Sequence, residues 1–170
     1  MPGKRGTGKP KREKSEFDQQ VIDLSRVTRV TKGGKHLSFR ACVLIGDRHG
    51  RIGFGLDKGK DVQMAVEKAV NQAKKHLIRV PIIRGTIPHR VEAKFKSGRV
   101  MIKPAPPGSG IIAGSSLRSV LEMAGIQNAS AKMISKTHNR VVNLKATFEA
   151  LQKFRPDARE KAARMAMKKI

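Results

Sequence analysis

The run Gly108-Ser109-Gly110-Ile111-Ile112-Ala113-Gly114 stands before an amphipathic segment, where a glycine-rich loop could cradle a phosphate on backbone N–H groups. A P-loop needs Lys and then Ser or Thr directly after its last glycine, but Ser115 and Ser116 follow Gly114 with no Lys between. A dinucleotide fingerprint begun at Gly108 and Gly110 puts Ala113 where the third glycine belongs, and no acid stands about 20 residues on in a strand context. The loop therefore reads as packing or partner contact. The five histidines, His36, His49, His76, His89 and His138, are scattered with no i, i+4 pair, so no metal site is expected. No Ser/His/Asp arrangement emerges either, and the expectation is a non-enzyme without a cofactor. Cys42, the one cysteine, lies in the apolar run Ala41-Cys42-Val43-Leu44-Ile45 and reads as a small buried hydrophobe in a reducing compartment.

The remaining chemistry is cationic. Arg48, Arg51, Lys58 and Lys60 surround the turn-like Gly53-Phe54-Gly55-Leu56-Asp57-Lys58-Gly59, an arrangement suited to the phosphate backbone of RNA. Lys68, Lys74 and Lys75 share the exposed face of an amphipathic helix, and Arg26 and Arg29 precede a glycine turn. The 170 residues hold 37 Lys plus Arg against 13 Asp plus Glu, a formal net charge of +24. Residues 1–14 contribute +5 and residues 155–170 contribute +4, so +15 belongs to the part between, which has the patterning of a folded chain. A surplus of that size needs a polyanion to neutralise it. With six Phe and no Trp or Tyr, stacking of bases on aromatic rings cannot be the main mode. Structured RNA, recognised largely by shape, is favoured over single strands. No basic helix has a bulky aromatic apolar face, no apolar run approaches a membrane span, and the basic N-terminus is not followed by a signal-peptide core, so no membrane partner is expected.

These residues must be positioned by two small units. Residues 21–31 read as a strand with a bulge between Leu24 and Val27, Lys32-Gly33-Gly34-Lys35 as a hairpin turn, and 37–45 as a strand apolar on both faces in its later part. A turn at 46–50 leads to a third strand, in which Gly53 and Gly55 allow something to approach the backbone closely. Asp61 is placed to cap a helix with Val62, Ala65, Val66, Ala69, Val70, Ala73 and Leu77 on one face. The second unit reads as a hairpin through Ser97-Gly98, a stiff loop at 104–110, a short helix capped by Ser115 or Ser116 and stopped by Gly125, a strand at 128–135, and a last helix capped by Asn139. The expected layout is a basic disordered arm at 1–20, domains at 21–80 and 81–155, and a basic tail at 156–170.

Several of these motifs, in this order, resemble the bacterial form of the family of small-subunit ribosomal protein five. They are Thr31-Lys32-Gly33-Gly34-Lys35, Gly50-Arg51-Ile52-Gly53-Phe54-Gly55, the 108–114 loop with Leu117-Arg118-Ser119-Val120-Leu121-Glu122-Met123-Ala124-Gly125 after it, and Lys145-Ala146-Thr147-Phe148-Glu149-Ala150-Leu151. The resemblance implies an α+β protein. Its first domain would be a three-strand sheet plus helix similar to a double-stranded-RNA-binding fold. Its second would be a βαβ-containing sandwich of a sheet and two helices. It implies a cytoplasmic, ribosome-bound protein that binds small-subunit ribosomal RNA, supports assembly and decoding accuracy near the messenger entry path, and is not a homo-oligomer. Lys32, Gly33, Gly34 and Lys35 would form the RNA-contacting loop, beside the spectinomycin site, with Arg51 and Lys58 meeting RNA too. Gly108, Gly110 and Arg118 would lie near ribosomal protein four, with ribosomal protein eight a further neighbour. The chain departs from the family pattern at Lys35, where Arg is common, at Asp57 in place of Gly, and at Arg140 in place of Pro. A free-standing binder of RNA duplexes and a phosphate-transferring enzyme are the rival readings.

Overall fold

The computed structural model describes residues 16–155; residues 1–15 of the expected arm and the expected tail at 156–170 lie outside the described residues. Strands β1 (Asp18–Thr31) and β2 (Gly34–Gly46) form a long antiparallel hairpin closed by Lys32 and Gly33. Gly34 takes φ +134°, a backbone state that glycine adopts without strain. Strand β3 (Arg51–Gly59) pairs with β2, and a short β4 (Leu77–Arg79) pairs with the start of β3. The order is β1-β2-β3-β4, a four-stranded antiparallel sheet where the sequence suggests three strands.

Alternation assigns the two faces of this sheet. Ala41, Val43 and Ile45 pack with Ala65, Ala69, Val70 and Ala73 of helix α1 (Val62–Lys75), while Cys42 and Leu44 point the other way. The close approach that Gly53 and Gly55 allow is made by α1. A Cβ on Gly55 would lie 1.9 Å from the Ala69 carbonyl oxygen, one on Gly53 would lie 2.5 Å from that of Ala73, and both glycines are in strand, not in a turn.

Four expectations are corrected here. The bulge is at Ile22, where the register steps from Val21↔Val43 to Asp23↔Cys42, because turning Ile22 inward buries it in the core. The strand begins at Asp18 rather than Val21, anchored by buried Phe17 and by pairing of Gln19 and Gln20 with Ile45 and Leu44. Leu77 belongs to β4 and not to the helix, which ends at Lys75. Asp61 holds the N-cap position of α1, but its side chain makes no capping bond.

The second sheet contains β5 (Val91–Phe95), β6 (Gly98–Pro104), β7 (Ile111–Ile112) and β8 (Ala129–Met133) in the order β5-β6-β8-β7. Strand β7, too short to show in the sequence pattern, runs parallel to β8, and helix α2 (Ser115–Ala124) forms the crossover between them. Gly114 takes the N-cap position expected of Ser115 or Ser116. Gly125 ends α2 at φ +82°, and its N–H reaches the Leu121 and Glu122 carbonyls. Helix α3 (Arg140–Gln152) is capped by Asn139, whose Oδ1 accepts from the Val141 and Val142 N–H groups. Both helices cover the same sheet face, the one bearing Val91, Ala93, Val100, Ile102, Ala129 and Ala131.

The units are joined by one apolar core. Ile22, Cys42, Leu44, Ile52 and Val80 pack with Leu117, Leu121, Leu144 and Phe148, and the Phe54 and Phe148 rings meet edge-on at 4.6 Å. Burial there pushes the Cys42 thiol up to about 11, so it is inert as a nucleophile. At the rim of this seam the Gly50 N–H donates to the Ala124 carbonyl (2.9 Å) and the Arg48 N–H to that of Met123 (3.2 Å). The last turn of α2 is thus capped by the first unit. A Cβ on Gly125 would lie 1.8 Å from the Arg48 carbonyl oxygen, so the seam closes only with glycine there. Arg140 reaches back across the seam to donate to the carbonyl of the bulged Ile22 (3.3 Å).

Candidate nucleic-acid interface

Strand β3 pairs with β2 only as far as Phe39↔Gly59, so residues 34–38 and their β1 partners extend beyond the sheet. At strand rise that projection is roughly 17 Å. Its tip is tied by a Thr31 hydroxyl donating to the Gly34 carbonyl (3.1 Å). A Cβ at Gly33 or Gly34 would meet nothing within 4 Å, so the tip is open on every side.

Cross-strand pairing sorts the basic residues. Arg26 opposite Phe39 and Lys35 opposite Val30 share the α1 side, together with exposed Leu37 and Leu24. Arg29 opposite His36, and Ser25 opposite Arg40, share the other side, and Arg40 is opposite Lys58 on β3. The sequence reading missed Arg40 and His36. Counting back from the Thr31↔Gly34 turn gives their partners, so the signal was present.

The set named from sequence does not form one cluster. Arg26, Arg29, Lys32, Lys35, Lys58 and Lys60 gather at the hairpin end of the sheet. Arg48 and Arg51 lie at the opposite end, roughly 25 Å away along β3. Helix α1 runs back along β3, with Ala65 at Gly59 and Ala73 at Gly53, so Lys74 and Lys75 lie near the Arg51 end and Lys68 between the two. The distant arginines are also engaged internally. Arg48 pairs with Asp18 (2.8 Å), and Arg51 bridges Asp47 (2.6 Å) and Glu16 (2.8 Å) while stacking over Phe17. Burial alone would raise the Asp47 pKa, but the Arg51 side chain and the His49 and Arg51 N–H groups hold it below the ordinary range. Among the described residues no ion pair involves Arg26, Arg29, Lys32, Lys35, Lys58 or Lys60.

The 108–114 loop is built differently. Gly108 (φ +90°) and Gly110 (φ +67°) both donate their N–H to the Oδ1 of buried Asn128, at 3.0 and 3.1 Å. Those N–H groups, which a phosphate loop would aim at its ligand, are satisfied within the chain. Arg118, exposed on α2, pairs with Glu122 (2.7 Å).

The two halves of this architecture match two family models in chain order. Residues 17–81 match "Ribosomal protein S5, N-terminal domain", and residues 93–165 match "Ribosomal protein S5, C-terminal domain". The chain belongs to the ribosomal protein S5 family. It is a structural, non-enzymatic protein of the small ribosomal subunit, located in the ribosome. It is 46% identical over 160 residues to small ribosomal subunit protein uS5 of Koribacter versatilis, covering 92% of this chain and 94% of that one. The uS5 protein of Thermotoga neapolitana is 47% identical over 123 residues, 72% of this chain and 69% of its own. The uS5c protein of Spinacia oleracea is 46% identical over 158 residues, 89% of this chain; the match spans about half of that longer protein (51%). The α+β architecture implied by the motif resemblance is the S5 architecture seen here. Among the described residues no helix is long and apolar enough to cross a membrane.

Proposed function

We propose that this S5-family chain binds small-subunit ribosomal RNA through the projecting hairpin. Lys32, Gly33, Gly34 and Lys35 form the contact loop, and Arg26, Arg29, Lys58 and Lys60 extend it. The observation that supports this is a projecting tip whose cations have no acidic partner among the described residues, on a chain of net charge +24. Lys68, Lys74 and Lys75 form a second row along α1 that follows the RNA backbone. Arg48 and Arg51 contribute through residual field, their side chains being engaged by Asp18, Asp47 and Glu16. The first unit, β1 through β4, acts as the RNA-binding domain and residues 81–155 as the protein-contacting one. Gly108, Gly110 and Arg118 present a surface to ribosomal protein four, with ribosomal protein eight a second neighbour. The chain thereby supports subunit assembly, decoding accuracy and the messenger entry path.

The test is binding of the full chain to deproteinised small-subunit RNA across a salt series. The Lys32→Glu, Lys35→Glu double variant weakens binding and flattens the log–log salt slope by about one unit per lost phosphate contact. An unchanged slope removes the hairpin from the interface.

A further inference from the structure

Helices α2 and α3 cover one face of the second sheet and leave the other open. Pairing places Glu92, Lys94, Arg99, Met101, Lys103 and Lys132 on that open face. Lys94 is opposite Arg99, and Lys132 is opposite Met101, one strand over and a diagonal step from both Arg99 and Lys103. Direct partners lie about 5 Å apart and diagonal ones about 7–8 Å apart, so the four cations make an unbroken stripe across three strands. All four are exposed.

Among the described residues one acid stands on this face, and it is already shared: Glu92 pairs with both Arg90 and Arg99. Their side-chain hydrogen bonds hold its carboxyl below the ordinary range. Lys94 and Arg99 directly opposite each other are a like-charge pair, which destabilises a sheet. Glu92 engages Arg99, but Lys94, Lys103 and Lys132 have no acidic partner among the described residues, so the face carries a cationic excess. It presents no aromatic ring, so it has nothing on which to stack an unpaired base. A flat row of cations around a small apolar centre at Met101 fits the backbone of an RNA duplex, which proteins engage through phosphates and shape.

We infer that the open face of the β5-β6-β8-β7 sheet is a second RNA-phosphate surface, on the opposite unit from the hairpin, with Lys94, Arg99, Lys103 and Lys132 as its contacts. This rests on the reading of the chain as an RNA-binding protein. It assigns RNA to a unit whose proposed role is otherwise protein contact.

The experiment is lysine acetylation read by mass spectrometry on the full chain. It is run free, bound to deproteinised small-subunit RNA, and within the assembled subunit, alongside salt-slope measurements on Lys94→Gln, Lys132→Gln. Lys94, Lys103 and Lys132 are protected several-fold in the RNA-only complex, and the double variant flattens the salt slope by about two units. Full modification of these lysines while Lys32 and Lys35 are protected overturns the proposal and leaves the hairpin reading standing. Protection only in the assembled subunit also overturns it, because the face then meets a neighbouring protein. If neither set is protected by RNA, the hairpin reading fails together with this one. The Gln changes are on an exposed face, and circular dichroism of the variant verifies that it is folded.

Discussion

Two glycine-bearing loops stand in different units of this molecule, and they use glycine for opposite purposes. At the Lys32–Lys35 tip, Gly33 and Gly34 stand where an added Cβ would meet no described atom within 4 Å. In the 108–114 loop, Gly108 and Gly110 adopt positive φ so that both N–H groups converge on one buried side-chain oxygen of Asn128. The first loop has cations with no acidic partner among the described residues; the second has its glycine N–H groups satisfied and no charge. On the proposed reading a polyanion is drawn to the first by field, whereas a protein reads the second by shape. The contrast also explains why the glycine-rich run before α2 is not a phosphate loop, although its spacing suggests one.

The strongest challenge to this contrast is Asn128→Ala. Removing the shared acceptor leaves two N–H donors without their partner and is expected to destabilise the chain by about 2 kcal/mol, measured by chemical denaturation. It should also weaken association with the neighbouring protein more than association with RNA. Unchanged stability would mean that the loop is not held as described. A smaller effect sharpens the comparison at the 47–51 turn. Asp47 has a folded pKa held below its unfolded value, so its contribution is present above the ordinary carboxylate pKa and is lost as pH falls through the folded one. Asp47→Asn should therefore be less stable than the parent near neutrality, and the gap should close on acidification below about pH 4. A gap independent of pH would show that the carboxylate's charge is immaterial. The smallest effect belongs to the open tip. Gly33→Ala meets no atom within 4 Å and Gly33 lacks positive φ, so stability should move by less than about 0.5 kcal/mol. A loss above 1 kcal/mol would show that the tip is packed after all.

The parts legible in the sequence are those governed by local chemistry. The Gly33-Gly34 turn, the Gly125 stop and the Asn139 cap depend on a few neighbouring residues and are found as read. The strand β4 was hidden because Leu77 falls four residues after Ala73, in phase with the stripe of α1. Gly53 and Gly55 announced a close approach without naming the partner, since a missing side chain says nothing about what fills its place. The candidate site was legible in residue type more than in arrangement. Arg51 looked available because Glu16, one of its two partners, is 35 residues away, although Asp47, the other, stands only four residues before it. Asn128 read as the start of a strand because its bonds go to a loop 18 to 20 residues earlier.

Helix α2 begins at the Gly114 end of the 108–114 loop and ends with its carbonyls held by the backbone of residues 48–50. At 1.5 Å per residue its ten residues make a strut about 15 Å long. Neither end has a free joint: one runs directly out of the loop, and the other is seated against Arg48 with no room for a methyl group. A load applied at Arg118 would meet no linker between α2 and the turn leading into β3, whose Arg48 and Gly50 N–H groups hold its last carbonyls. On the proposed reading the chain would act as a single lever, its short arm toward a neighbouring protein and its long arm, the hairpin, toward RNA.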